Sequence, residues 1–338
     1  RGPQGSLFFY CLCGGRKVKS KIIFEWLSWI LLSIVMFSGG MYIALASPFL
    51  ILIAPVPFMI LEIKQGFREA LLGVLFGSVF VFMLFGSIPA FMYALEFGFL
   101  GVTFGYISGR TEKGIDFILL SVIASITAKI ILLVTFTSIS GMNPFAMSPE
   151  TALEIVSSLA SKLSSGGIGA SDEIIKNYSL AMAETVSLLM PSMIIFFSAI
   201  DTFATYWAVS YMITRSGGKP LPSLPKFETW RFPKNLFWAL VAAVIMDLAG
   251  KAFPEERVYR VVSANLMEVL RAIFMLEGLS LCWYYMSSRR IARVLKLTFS
   301  LFGVLFSPVS YILSMVGIFD IWYDLRTRIR GKKNESDS

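Results

Sequence analysis

Seven ionisable side chains stand inside long apolar runs of this 338-residue chain: Glu96, Lys129, Asp201, Asp247, Glu268, Arg271 and Glu277. A charge at membrane depth is costly, so such residues are expected to bind, relay or pair. Counting ~1.5 Å per residue from the outer end of each run puts Glu96 ~12 Å deep, Lys129 ~14 Å, Asp247 ~8 Å, Glu268 ~8 Å and Arg271 ~12 Å. Those five come from four runs and are expected in one layer of the outer half. Asp201 and Glu277 are expected deeper, at ~21 Å, as a polar or proton site. Glu96, Asp247 and Glu268 could bind or relay cationic groups, while Lys129 and Arg271 hold them in place or meet an anionic group. Asn265, Glu268, Arg271 and Met275 fall on one helical face at about 100° per residue. Glu268 and Arg271, three apart, can pair within their helix. Lys129 has no such partner nearby and is expected to meet an acid from another helix, Glu96 or Glu277 first. The plainer alternative for the whole set is ion pairs that staple helices together.

Other chemistry is excluded by what is absent. The chain has no histidine, which removes histidine-based zinc proteases, a serine–histidine dyad and histidine-bound haem. It has no GxxxxGK[ST] loop and so no P-loop of its own. Cys11, Cys13 and Cys282 make no disulfide framework, and a Cys-x-Cys pair without histidine or a second pair reads as incidental thiols. No nucleophile–base pair is visible. We therefore expect a protein that is not an enzyme and needs no cofactor or metal.

The elements that carry these residues are membrane helices. The chain is 56% hydrophobic and 15% charged, with a mean hydropathy of +0.72. A soluble domain is about a quarter charged, and about 20 apolar residues span a bilayer core. The apolar runs predict eight crossings: Ile22 to Ala46, Pro48 to Ile63, Ala70 to Gly86, Ile88 to Ser108, Ile115 to Ser138, Val186 to Ile213, Asn235 to Ala252 and Ser263 to Ser287. A last run is split at Ser307-Pro308 into two pieces too short to cross, which predicts a broken helical hairpin. The fold class is thus all-α, a polytopic transmembrane bundle. The second crossing carries Pro48, Pro55 and Pro57 and ends in Glu62, Lys64 and Arg68. Proline frees backbone carbonyls, which in a membrane need partners or a polar cavity.

The net charge of +8 suggests nucleic acid at first, but the basic residues sit in short segments between apolar runs. Of the 30 Lys and Arg, Lys162, Lys176, Lys251, Arg257 and Arg260 fall in outer segments, Lys129 and Arg271 within crossings, and the rest in inner ones. That bias sets both termini in the cytoplasm. Five stretches follow. Residues 1–21 are a basic segment of little structure, preceding a membrane protein that begins near Val18 and lacking a signal-peptide pattern. Residues 22–139 form a first membrane half, and 140–180 an external amphipathic helical hairpin with starts at Ser148-Pro149-Glu150 and Ser171-Asp172-Glu173. Residues 181–325 form a second membrane half, and 326–338 a basic cytoplasmic tail. Ala90, Ala94, Gly98, Gly101, Gly105 and Gly109, with Gly73 and Gly77, space small residues for close packing inside the bundle.

Four stretches, "IAPVPFMILEIKQGFREALLG", "FETWRFPKNLFWAL", "NLMEVLRAIFMLEGLSLCWYYM" and "GIFDIWYDLR", together resemble the YybS-like bacterial membrane proteins, a family of uncharacterised function, over about residues 22–330. The chain departs from that pattern at Glu277, where the resemblance leads to an uncharged amide. The amino-terminal half also resembles, at the level of fold, the S subunits of energy-coupling-factor transporters. That resemblance implies solute binding from outside, with separate coupling and ATPase subunits as partners. The expectation is a protein of the bacterial cytoplasmic membrane whose partners are the lipid bilayer, a small-molecule solute and such a subunit, with no nucleic acid. The rival is a non-transport scaffold whose basic loops at 215–234 and 326–333 recruit a cytoplasmic partner or anionic lipid.

Overall fold

Proline and glycine punctuate the helices where the chain must turn. A computed structural model describes residues 20–43, 45–141, 153–158, 172–253 and 255–327; among these there is no strand. Helix α1 is Ser20–Tyr42, and the second apolar run forms two pieces, α2 (Ser47–Leu52) and α3 (Val56–Gln65). Pro48 lies in the first turn of α2 and Pro55 precedes α3, so the break at 53–55 follows from the missing N–H groups. Helix α4 is Phe67–Phe85. Gly66 (φ 104°) and Gly86 (φ 91°) bound it, in backbone conformations that side chains resist. Beyond it, α5 (Ser87–Tyr93), a π-helical turn (Ala94–Phe99) and α6 (Leu100–Ser108) make one continuous rod. Helix α7 is Gly114–Ser140, and α8 runs unbroken through 44 residues, Asp172–Arg215.

The helix expected to start at Asp172 and the sixth crossing are therefore one element. The rest of the expected hairpin lies outside the described residues apart from the helical 153–158. So do residues 1–19 of the amino-terminal segment and 328–338 of the tail.

Past a 3-10 turn (Phe227–Thr229) come α9 (Leu236–Ala252), α10 (Arg257–Ser288), α11 (Arg293–Leu305) and α12 (Ser307–Tyr323). Helices α11 and α12 meet at 103° beside Pro308, which breaks the last apolar run as the sequence predicts. Six described stretches are long and apolar enough to cross a membrane: Ile22–Tyr42, Ser47–Gln65, Phe67–Phe85, Ser87–Ser108, Gly114–Ile139 and Thr185–Arg215. Helix α9, at 17 residues, and α10, interrupted by Glu268, Arg271 and Glu277, are not among them.

The chain forms two compact units. One comprises residues 1–184 and 193–224, the other 185–192 and 225–338. In the first, Ile30, Phe58, Leu61, Val74 and Tyr93 form one core cluster and Met59, Ile60, Leu100, Phe104 and Phe117 another. Gly101 lets α6 lie directly on the proline break: a Cβ there would come within 2.6 Å of the Pro55 carbonyl and of Phe58 Cβ. Large apolar side chains such as Leu31, Val35, Phe82, Ile123 and Val134 are left uncovered on the outside of this unit. A bilayer solvates such a surface; water does not. In the second unit, Ala243, Leu270, Phe274 and Ile321 form the core between α9, α10 and α12.

Candidate functional site

Helices α7 and α8 pack antiparallel in the first unit, since Phe117 meets Tyr206 near one end and Ser125 meets Asp201 farther along. Each turns a polar stripe to the other. On α7 the stripe is Ser121, Ser125 and Lys129, four residues apart; on α8 it is Ser198, Asp201, Thr202 and Thr205. All but Lys129 are fully or nearly fully buried. A spacing of three and four keeps such residues on one helical face.

At the centre, Lys129 Nζ donates to Asp201 Oδ2 and to Ser125 Oγ, the latter at 2.8 Å. The Ser125 hydroxyl lies 3.1 and 3.0 Å from the two Asp201 carboxylate oxygens. Glu96, carried by the π-helical turn, brings Oε2 to 4.0 Å from Lys129 Nζ, beyond hydrogen-bond length. One ammonium therefore serves two carboxylates. Lys129 does pair with an acid from another helix, but the nearer acid is Asp201, expected deeper, and Glu96 stands second. The Thr205 hydroxyl reaches the Leu52 carbonyl at 3.4 Å, so the broken second run gives one of its carbonyls to the same seam. The hydroxyls of Ser121 and Ser198 are buried without a hydrogen-bond partner. One turn from Glu96 and Lys129, toward Ser87 and Ile139, a cavity of about 270 Å3 opens among Ile88, Phe91, Met92, Leu132 and Thr135.

The other expected site residues lie in the second unit and do not form one group there. Asp247 pairs with Lys251 one turn on, at 2.8 Å and exposed. Glu268 and Arg271 pair within α10, as their spacing predicts, and Arg271 Nη1 also reaches Ser310 Oγ at 3.2 Å.

Asn265 is occupied by the backbone. Pro191 in α8 lacks an N–H and disturbs the ladder around it. Asn265 fills the gap: its Oδ1 accepts from Ser192 N–H at 2.8 Å, and its Nδ2 donates to the Leu188 and Val261 carbonyls at 2.7 Å each. Both amide hydrogens are used, which leaves no donor for a solute.

Glu277, expected as a possible partner of Lys129, meets Arg326 instead. Its Oε1 accepts from Arg326 Nη2 at 3.0 Å and its Oε2 from Phe232 N–H at 2.9 Å. Arg326, assigned by sequence to the tail, is buried, and also donates to Asp320 and to the Glu228 carbonyl. Nearby, the Arg231 guanidinium hydrogen-bonded to Asp324 holds that exposed carboxyl below the usual carboxylate range.

Sequence reasoning missed Asp320, Arg326 and the hydroxyls of the α7–α8 seam. The four-residue spacing of Ser121, Ser125 and Lys129 was the available signal for the seam. Among the described residues, no three histidine, cysteine or carboxylate side chains gather as a metal-binding set.

Apolar helices around buried charges define an all-helical integral membrane protein. A family model described as "Predicted membrane protein (DUF2232)" matches residues 31–321, and the chain belongs to that family. No curated protein and no solved structure matches it.

Proposed function

We propose that this chain is a solute-binding or transport subunit of the bacterial cytoplasmic membrane. It is not an enzyme, and any ATPase that drives it is a separate chain. In this reading it is YybS-like, its amino-terminal half (residues 22–139) resembles the S subunits of energy-coupling-factor transporters, and its eight crossings and broken hairpin leave both termini in the cytoplasm. The observation that carries it is the Glu96–Lys129–Asp201 cluster, which lies inside three candidate spans and one turn from an apolar cavity. The second carboxylate, Glu96, is only loosely engaged at 4.0 Å from Lys129, and the cavity one turn away has room for a small molecule.

The scaffold reading draws support from the second unit, where Asp247–Lys251 and Glu268–Arg271 pair singly. It also draws support from a cleft of about 370 Å3 at the other end of the first unit, lined by Glu62, Tyr106, Arg110 and Lys219.

Native mass spectrometry of the full chain, purified in detergent, separates the two. The solute reading expects a small molecule bound to the wild type and lost from Thr135→Trp, which fills the cavity while leaving the charges in place. A wild type that never carries a small molecule, or a Thr135→Trp protein that still does, favours the scaffold.

A further inference from the structure

We propose that the cleft of about 370 Å3 at the other end of the first unit binds the headgroup of an aminophospholipid, a phosphate and a primary ammonium together. The proposal goes beyond the solute reading, whose cluster and cavity lie elsewhere in the unit, and does not rest on it.

The cleft forms where two candidate spans end and a third begins. Glu62 comes from the last turn of α3, Phe67 from the start of α4, Tyr106 and Arg110 from the end of α6 and just past it, and Lys219 and Leu221 from the segment after α8. At that level hydrocarbon gives way to headgroups, and a basic pocket between membrane helices there suits a lipid phosphate.

The charged groups of the cleft are not joined to one another. The Arg110 charge acts on the Glu62 carboxylate, yet among the described residues Glu62, Arg110 and Lys219 form no ion pair. A staple between helices would have closed that gap. The Arg110 guanidinium carbon instead stands 3.4 Å from the centre of the Tyr106 ring, whose edge-on neighbour is Phe67 at 5.8 Å between centroids. Its hydrogen bond to the Tyr106 carbonyl is long, at 3.4 Å. Stacking thus places the guanidinium while leaving most of its donors for a planar or tetrahedral anion. The half-buried Glu62 carboxylate lies against Gly105, where an added Cβ would come within 2.6 Å of Oε2, and it accepts no hydrogen bond among the described residues. A carboxylate so placed calls for a donor from outside the chain.

The chemistry of the ligand follows from these groups. Arg110 and Lys219 together meet a phosphate. Glu62 meets an ammonium that can donate hydrogen bonds, which a quaternary amine cannot do. Phe67 and Leu221 give the start of the acyl chains an apolar wall, for which a soluble phosphate has no use. On the proposed topology the lipid belongs to the cytoplasmic leaflet.

The test is native mass spectrometry of the purified full chain in detergent, titrated with short-chain lipids that carry phosphoethanolamine, phosphoglycerol or phosphocholine headgroups. The phosphoethanolamine lipid should bind about tenfold more tightly than the other two, the worth of one charge-assisted hydrogen-bonded contact. Glu62→Gln should erase that preference while keeping the binding common to all three lipids. Arg110→Gln should weaken all three about equally, since the phosphate is common to them. Arg110 and Lys219 are both exposed, so Lys219→Gln repeats the second arm at another position that spares the core. Thermal unfolding midpoints show that each variant is folded before its binding is read. A wild type without the preference, a preference that survives Glu62→Gln, or binding untouched in both Arg110→Gln and Lys219→Gln overturns the proposal. Free phosphoethanolamine that competes at equal concentration would put a soluble molecule in the cleft and overturn the lipid assignment. The lipid preference in a protein that never carries a small solute would leave this proposal standing and sink the solute reading alone.

Discussion

Arg326 faces two carboxylates, Glu277 and Asp320, with a single guanidinium, and all three side chains are at most 5% exposed. Taking away the cation strands both acids, whereas taking away one acid leaves a matched pair. Arg326→Met should therefore cost about 3–5 kcal/mol, the usual penalty for a buried charge that loses its partner. Glu277→Gln should cost only about 1 kcal/mol, because the amide oxygen can still accept from Phe232 N–H and Arg326 keeps Asp320. Thermal unfolding in detergent would rank the two, and the reverse order would sink this account of the network. The same comparison bears on Glu277 as a proton site. A side chain committed to Arg326 and a backbone N–H has the bonding of a clamp on the 227–232 turn and the segment after α12.

At the scale of elements, α10 and α12 touch backbone to backbone. A Cβ on Gly278 would collide with the Leu313 carbonyl and the Gly317 nitrogen, and one on Gly317 with the Phe274 carbonyl. This small-residue crossing joins the split last run to the core of the second unit. Gly278→Ala or Gly317→Ala should force the helices apart and cost about 1–3 kcal/mol. Gly40 lies in α1 with nothing within 4 Å of an added Cβ, so Gly40→Ala should be neutral or stabilising by up to about 1 kcal/mol. Unfolding midpoints of the three variants would check the contrast; equal effects would mean that helix propensity, not packing, decides them. The first unit uses Gly101 in the same way, against the break that Pro55 makes.

For the whole molecule, the proposed orientation puts Lys226 inside the cell and Glu255 outside, on either side of α9. Both are exposed. Lys226→Cys and Glu255→Cys, on a background lacking Cys11, Cys13 and Cys282, should label oppositely with a membrane-impermeant thiol reagent in intact cells. Glu255→Cys should react and Lys226→Cys only after lysis. Labelling from the same side would mean that α9, with its 17 residues, does not cross. That result would remove the charge-based topology and leave the bent α11–α12 pair to be placed afresh.

The membrane class, the helical content, the break at Pro55 and the bend at Pro308 were legible in the sequence because each depends on local chemistry. Apolar runs, missing N–H groups and ring sterics act within a few residues of where they are written. Partner choice is different in kind. Depth along its own run put Lys129 level with Glu96 and left Asp201 deeper, but which acid it meets depends on how α7 and α8 are rotated, and that rotation turned Asp201 toward it. Nothing near Asn265 in sequence says that Pro191, seventy-four residues earlier, leaves a gap of amide size in another helix. Nor does a basic carboxy-terminal stretch reveal that its first arginine is drawn inward by Asp320 and Glu277. A buried charge or amide takes whichever partner the packing of distant segments brings within 3 Å, so tertiary structure alone decided these contacts.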